Sequence, residues 1–263
     1  MTAAVLAAGI AIADNAIVSS DIVGYQTKEL ASGTYTMLNV PFQHVNNDGK
    51  GLMLNSDITV ANVTGNADNF NNADQIWVWV PADEAYTKFF YYDDGNEAGW
   101  SVTTGGQEYF EELTDWENGL PEGSAIFYKA KAPSGKALTG SGAIERQDEV
   151  ELDLVSGTYT MIGNPYPVAL QLNTDQFTAE NVTGNADNFN DADQIWVWVP
   201  ADEAYTKFFY YDDGNEAGWS ITTGGQEYIE ELEDWANGIP SGTAMYYKAK
   251  TGAGKKAVFG KTF

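Results

Sequence analysis

Two acidic loops carry the residues best suited to hold a cation. Residues 65–75 read GNADNFNNADQ, and residues 184–194 repeat this sequence with one change. Closely spaced carboxylate and amide oxygens on a loop are typical Ca²⁺ ligands. The candidate calcium ligands are Asp68, Asp74, Asp187 and Asp193. The EF-hand spacing is absent, and Asx turns explain the same residues without a metal. We therefore expect no cofactor, with Ca²⁺ as the alternative.

Four tryptophans stand on two identical segments. QIWVWV occurs at residues 75–80 and again at residues 194–199. Alternate residues of a strand share one face, so the two tryptophans of each copy point the same way. This aromatic face consists of Trp77, Trp79, Trp196 and Trp198. If exposed, it would stack on sugar rings, as in carbohydrate-binding modules. Apolar residues on both faces of the segment favour burial in the core or at a protein contact instead.

Catalytic motifs are scarce. His44 is the only histidine, and the absence of cysteine excludes disulfides, thiolate metal sites and cysteine nucleophiles. The sequence holds no HExxH or GxSxG motif and no glycine-rich phosphate loop after a strand. Paired carboxylates alone can hydrolyse glycosides, so a carboxylate-based glycoside hydrolase remains one alternative. We expect a non-enzymatic protein with no catalytic residue.

The charge balance limits the partners of the chain. The 263 residues include 38 Asp and Glu against 13 Lys and Arg, which gives a formal net charge of −25. Such a field repels nucleic acid and anionic membrane surfaces. No stretch approaches the roughly 20 apolar residues of a membrane span. We therefore expect neither a nucleic-acid partner nor a transmembrane segment.

The first 20 residues resemble a targeting signal. Residues 3–12 are apolar, and Ala11-Ile12-Ala13 fits an A-x-A cleavage site, although a basic n-region is missing. This pattern predicts export to the cell surface or the extracellular space. The alternative is a first buried strand or helix. A third interpretation makes residues 1–20 a strand that is donated to another subunit.

An internal repeat organises the rest of the chain. Residues 62–131 match residues 181–250 with ten differences, and SGTYTM at residue 32 recurs at residue 156. We define repeat 1 as residues 21–142 and repeat 2 as residues 143–263. Alternating strands and glycine-bearing turns predict an all-β fold of two tandem, mostly antiparallel β-sandwiches of jelly-roll or immunoglobulin-like type.

A set of short motifs gives the chain a family likeness. These motifs are DIVGYQT, SGTYTML, ADQIWVWVP and LPEGSAIFYKA. Their pattern resembles a group of exported tandem-repeat proteins of Verrucomicrobia- and Lentisphaerae-type bacteria, and the likeness covers most of residues 21–263. It implies export and tandem β-domains, and it brings no catalytic residues. Repeat 2 departs from the pattern because it lacks the Gly24-Tyr25 opening.

Repeated β-modules are usual in fibrous and adhesive proteins. We therefore expect an exported structural protein that forms a homopolymer, as the subunit of a filament or surface layer joined head-to-tail. An unpaired strand at each end would make the joint by strand addition. The assembly residues are Ala16, Ile17, Val18, Ile22, Val23, Val258 and Phe259. The alternative is an adhesive module that binds glycans.

Overall fold

The computed structural model describes residues 23–45, 50–80, 83–102, 108–145, 147–199, 202, 204–221 and 227–261. The candidate signal or donor segment, residues 1–20, lies outside them. So do four of the predicted assembly residues, which are Ala16, Ile17, Val18 and Ile22. Within the described ranges, no helix has the length and apolar character needed to cross a membrane.

Within the described ranges, each repeat supplies eight strands. Those of repeat 1 are β1 (Val23–Leu30), β2 (Tyr35–Asn39), β3 (Ile58–Ala61), β4 (Gln75–Val80), β5 (Ala85–Asp93), β6 (Ala98–Ser101), β7 (Ala125–Lys129) and β8 (Lys136–Ala143). Those of repeat 2 are β9 (Glu149–Asp153), β10 (Tyr159–Gly163), β11 (Phe177–Glu180), β12 (Gln194–Val199), β13 (Ala204–Asp212), β14 (Ala217–Ser220), β15 (Ala244–Lys248) and β16 (Lys256–Gly260).

Short 3-10 turns are the helical elements of the described residues. They are Phe70–Asn72, Phe110–Glu112, Thr114–Trp116, Phe189–Asp191, Ile229–Glu231 and Glu233–Trp235.

The strands of each repeat form two antiparallel sheets. In repeat 1 the five-stranded sheet has the order β2-β7-β4-β5-β6, and the three-stranded sheet has the order β1-β8-β3. Repeat 2 reproduces both, as β10-β15-β12-β13-β14 and β11-β16-β9. Every pairing is antiparallel. The predicted all-β fold with two tandem antiparallel sandwiches is confirmed.

A separate apolar core fills each sandwich. In repeat 1, Trp100, Tyr128 and Phe89 are almost fully buried between the two sheets. Their counterparts fill the core of repeat 2 in the same way. Burial of a large apolar side chain stabilises a fold by about 1.5–3 kcal/mol, so a few such residues fix how the sheets face each other.

Strand β4 has one face in this core and one face outside it. Ile76 and Val78 point into the core of repeat 1, whereas Trp77 and Trp79 lie on the opposite face and are half-buried. The two tryptophans therefore belong to the outer face of the five-stranded sheet. In the chain, that outer face packs against the corresponding face of repeat 2.

The two repeats join through equivalent residues. The backbone N–H of Asn39 donates to Gly242 O at 3.0 Å, and that of Gly163 donates to Gly123 O at 2.8 Å. Gly163 occupies in repeat 2 the place of Asn39, and Gly242 occupies the place of Gly123. The joint is thus an approximately two-fold, self-complementary contact. Such a contact uses the same face of both partners and is closed, so it leaves no copy of itself for the next chain.

The C-terminal strand is not a free edge, which corrects the prediction for Val258 and Phe259. Strand β16 is the central strand of its sheet, with β11 on one side and β9 on the other. Both residues are buried. The strand occupies a gap between two strands that precede it in the chain, so its backbone groups already have partners and cannot form an assembly joint.

Candidate functional site

Strand β1 forms an open edge of the three-stranded sheet in repeat 1. It pairs with β8 on one side, and no strand of the described residues pairs with the other side. Val23 is 58% exposed and Tyr25 is 79% exposed. An open edge is a template for another strand.

The equivalent edge in repeat 2 carries a different set of side chains. Strand β9 places three exposed carboxylates at the positions that correspond to Tyr25, Thr27 and Glu29 of β1. They are Glu149, Glu151 and Asp153. Charged side chains on an edge strand oppose pairing with another chain. The two edges thus differ at two of these three positions, because Glu29 and Asp153 are both acidic.

Two of the candidate calcium ligands hold a lysine instead, and this corrects the prediction for Asp74 and Asp193. Asp74 is fully buried, and its Oδ2 accepts from Lys136 Nζ at 2.9 Å and from the Tyr128 hydroxyl at 2.8 Å. Its other oxygen accepts from Lys131 N. With an ammonium group and hydrogen-bond donors around it, the carboxylate has no room for a cation.

Repeat 2 contains the same buried network. Asp193 accepts from Lys255 Nζ at 2.8 Å and from the Tyr247 hydroxyl at 2.8 Å. Burial, followed by the charge of Asp193, raises the pKa of Tyr247 far above its usual value, and Asp74 acts likewise on Tyr128. These phenols therefore stay neutral donors. This network of buried hydrogen bonds and ion pairs stabilises the end of each sandwich core and is not a metal site.

The other two candidate ligands are exposed on their loops. Backbone N–H groups of Asp68 and Asp187 donate to Asn66 and Asn185, which form the Asx turns expected from the sequence. Among the residues that the structure describes, no three His, Asp or Glu side chains come together as a metal site would require. A calcium role for Asp68 and Asp187 stays a prediction.

His44 has a structural partner. Its Nδ1 lies 2.9 Å from Asp57 Oδ1, and the buried carboxylate of Asp57 also accepts from Met53 N at 2.8 Å. The histidine and the aspartate thus brace the loop that precedes β3. His44 thus has a structural contact in this loop.

The tryptophans of the aromatic face have different environments. Lys88 Nζ lies 4.1 Å from the ring centroid of Trp77, and in repeat 2 Lys207 Nζ lies 3.9 Å from Trp196. Cations at this distance bind the face of the ring. Trp79 Nε1 donates to Tyr159 O of repeat 2 at 2.9 Å. Trp79 is thus held between the repeats.

The symmetry-related side of the joint is an open cleft. Trp198 and Tyr35, the counterparts of Trp79 and Tyr159, both border it. Its volume is about 320 Å³. The lining residues are Thr34, Tyr35, Trp77, Tyr86, Phe127, Trp198 and Tyr205. Ligand pockets span about 300–1,000 Å³, so this cleft has room for a single small ring.

One difference between the repeats accompanies this asymmetry. The ring of Tyr86 lines the cleft, but its hydroxyl hydrogen bonds with that of Tyr246 on the closed side. On the open side Tyr205 and Phe127 both line the cleft, and Phe127 has no hydroxyl to bond that of Tyr205. Burial first, and then Tyr86, raises the pKa of Tyr205, so its hydroxyl stays protonated in the cleft.

A carboxyl pair lies where repeat 1 leads into repeat 2. Glu145 follows β8 and is buried, and Glu122 lies in the turn before β7. Gln43 Nε2 donates to both carboxyl groups. Burial, and then the hydrogen bond and charge of Glu145, raise the pKa of Glu122 to about 7.

No family model, curated protein or solved structure matches the chain.

Sequence reasoning identified the aromatic face but missed the cleft and the carboxyl pair. The repeat alignment held a signal for both, because Phe127/Tyr246 and Glu122/Ser241 are among its ten differences. Where such a difference lies at the contact between the repeats, the two sides of that contact become unequal. The buried Asp74–Lys136 pair gave no such signal, since both repeats share it.

Proposed function

We propose that the protein is an exported, non-enzymatic structural subunit that polymerises into a filament or surface layer through the open edge of β1. The observation that carries this proposal is the contrast between the two equivalent edges. Repeat 1 presents Tyr25 and Thr27 where repeat 2 presents Glu149 and Glu151. A chain that places three exposed carboxylates on one edge and only one, Glu29, on its twin favours a single, directional joint.

The donor in this proposal is the segment that precedes β1. Residues 16–22 include Ala16, Ile17, Val18 and Ile22, and they lead directly into Val23. Main-chain pairing of this segment with β1 of the next copy would give affinity, and its apolar side chains would give register. The joint differs from the predicted head-to-tail contact, because the contact between the repeats is closed and β16 is already paired.

A non-catalytic role fits the arrangement of the carboxyl groups. In glycoside hydrolases the two carboxyls stand about 5–9.5 Å apart across the scissile bond. Glu122 and Glu145 both bind one nitrogen of Gln43, so a sugar has no room between them.

The formal charge of −25 would limit lateral association of the polymers. Export follows from the signal-like residues 3–12, and fractionation of source cells with an antibody would test it.

Electron microscopy of the purified chain tests the assembly. We expect unbranched polymers from the intact chain and soluble, folded monomers after removal of residues 1–20. Tyr25→Glu with Thr27→Glu, which copies these two positions of the repeat 2 edge, should also give folded monomers. Thr59→Glu is the matched control, because Thr59 is exposed on β3 of the same sheet, away from the β1 edge. It should leave assembly intact.

Two outcomes would contradict the proposal. If the truncated chain polymerises as the intact chain does, residues 1–20 are not the donor. If the intact chain stays monomeric at high concentration, the structural role itself is wrong, and the glycan-binding alternative replaces it.

A further inference from the structure

We propose that the cleft between the repeats binds one pyranose ring that carries a carboxylate, as in a uronic acid residue of an acidic glycan. This site is independent of the β1 edge and would add ligand recognition to a structural subunit. The proposal depends on three features of the cleft, namely its aromatic walls, its polar groups and the lysines that lie over two of its rings.

The walls of the cleft suit the apolar face of a sugar. Five of its seven lining residues are Tyr or Trp. Trp198 and Tyr205 pack edge-to-face with ring centroids 4.9 Å apart, which holds both rings in place. A pyranose presents C–H groups on its ring faces and hydroxyls around its edge. Aromatic side chains stack on these C–H groups and exclude water from them.

Polar groups among these rings suit the hydroxyls of a sugar. Thr34 and Tyr205 bring hydroxyl groups to the lining, and Trp198 brings an indole N–H. On the closed side, the corresponding N–H of Trp79 and hydroxyl of Tyr86 bond to repeat 2. Replacement of Tyr246 by Phe127 on the open side removes the hydroxyl that would satisfy Tyr205. A ring hydroxyl of the ligand would take its place.

Two lysines lie over aromatic rings that line the cleft, and they favour a negatively charged ligand. Lys88 Nζ lies 4.1 Å from the centroid of the Trp77 ring, and Lys129 Nζ lies 5.2 Å from that of Tyr35. Both rings line the cleft. In a chain with 38 acidic and 13 basic residues, two ammonium groups beside one cleft favour an anion there. A carboxylate on the sugar would accept charge-assisted hydrogen bonds from them.

The lysines alone do not select this side, because Lys207 and Lys248 flank Trp196 in repeat 2 in the same way. What distinguishes the open side is Phe127. This difference gives a pair of matched variants. Phe127→Tyr supplies the missing hydroxyl to Tyr205 and should close the cleft. Tyr246→Phe removes the hydrogen bond between hydroxyls on the closed side and should open a second cleft there.

Titration of the full-length chain with trigalacturonic acid, followed by tryptophan fluorescence and calorimetry, tests the proposal. We expect saturable binding with one site per chain, and no binding of the neutral galactose trimer. Lys88→Gln with Lys129→Gln should weaken binding by about tenfold or more, since a hydrogen bond to a charged group contributes about 1.5–3 kcal/mol. Phe127→Tyr should abolish binding, and Tyr246→Phe should raise the stoichiometry towards two.

Each contrary result has a definite meaning. Equal binding of both trimers would overturn the assignment of an acidic ring. Absence of binding to either trimer, or binding that Phe127→Tyr leaves unchanged in a folded variant, would overturn the site. Near-ultraviolet circular dichroism establishes the folding of each variant. Truncation of residues 1–20 should not affect the titration, so failure of the assembly proposal and failure of this one are distinguishable.

Discussion

Phe127 and Tyr246 occupy the same position in the two repeats and meet across the joint, with ring centroids 6.1 Å apart. Two identical residues here would make the two sides of the joint alike. The difference of one hydroxyl makes one side hydrogen bonded and leaves the other open. The internal duplication has thus become unequal at this position, close to the axis that relates its halves.

The hydroxyl pair on the closed side should couple the repeats energetically. Tyr86→Phe and Tyr246→Phe each remove one hydroxyl of the pair. A double-mutant cycle measured by urea unfolding should give a coupling free energy of about 1 kcal/mol. The control cycle combines Tyr205→Phe with Tyr246→Phe, because these two tyrosines belong to one repeat and share no hydroxyl bond across the joint. A coupling in the first cycle no larger than that in the control would contradict the inferred bond.

Loss of the lysine should lower the free energy of unfolding far more in the buried ion pairs than in the exposed one. Lys136→Met leaves Asp74 buried without its cation, so the free energy of unfolding should fall by about 3–5 kcal/mol. Lys255→Met should do the same to repeat 2 through Asp193. Lys256→Met is the control, because Lys256 and Glu151 pair at the surface, and its unfolding should stay close to that of the wild type. Similar losses of unfolding free energy in all three variants would show that burial does not determine how much these ion pairs contribute to stability.

The carboxyl pair at the junction should make stability depend on pH. The folded state raises the pKa of Glu122 from its ordinary 4.5 to about 7, so the folded state binds the proton more tightly. The resulting stabilisation is fully present below pH 4.5 and is lost as the pH rises through about 7. Above that pH, Glu122 becomes charged in the half-buried junction beside Glu145.

Glu122→Gln isolates this contribution, since the amide cannot ionise. The window lies at about pH 5 to 8, set by the ordinary and the folded-state pKa of Glu122. Over this window, the melting temperature of the wild type should fall more steeply than that of the variant. Tyr166 does not interfere, because burial and then Glu145 raise its pKa to about 12. If the two proteins lose melting temperature in parallel over this pH range, the raised pKa of Glu122 is wrong.

The sequence was sufficient for the fold class because the signals for strands are local. The alternation in β4 and the turn before β5 are visible within twenty residues. The position of β16 was not predictable from local signals, because a strand at the end of the chain fills a gap between β9 and β11. Pairing between strands that are far apart along the chain is a non-local contact, and it leaves no local signal in the sequence.

The candidate site followed the same division. The aromatic face was predicted from period-two alternation, and β4 does place Trp77 and Trp79 on one face. The role of Asp74 was misread because its partner, Lys136, lies 62 residues further along the chain. A loop rich in Asp and Asn looks alike whether its carboxylates face solvent, a cation or a buried lysine. Only the packing of the strands distinguishes these cases.

The two-fold joint predicts that two residues can be exchanged between the repeats. Asn39 and Gly163 are equivalent positions that meet at the axis, and a Cβ on Gly163 would lie only 2.4 Å from Cβ of Asn39. Gly163→Asn should therefore overpack the joint and cost about 1–3 kcal/mol. Asn39→Gly should also destabilise, because the side chain of Asn39 donates to Asn164 O.

The exchange variant combines Asn39→Gly with Gly163→Asn. If the joint is two-fold, the asparagine then approaches from the other repeat into the space that its counterpart has vacated. The free energy of unfolding, measured by urea titration, should recover most of what Gly163→Asn alone loses. The two backbone bonds to Gly242 and Gly123 do not involve these side chains, so they persist in every variant. A loss in the exchange variant equal to the sum of the two single losses would show that the joint is not two-fold.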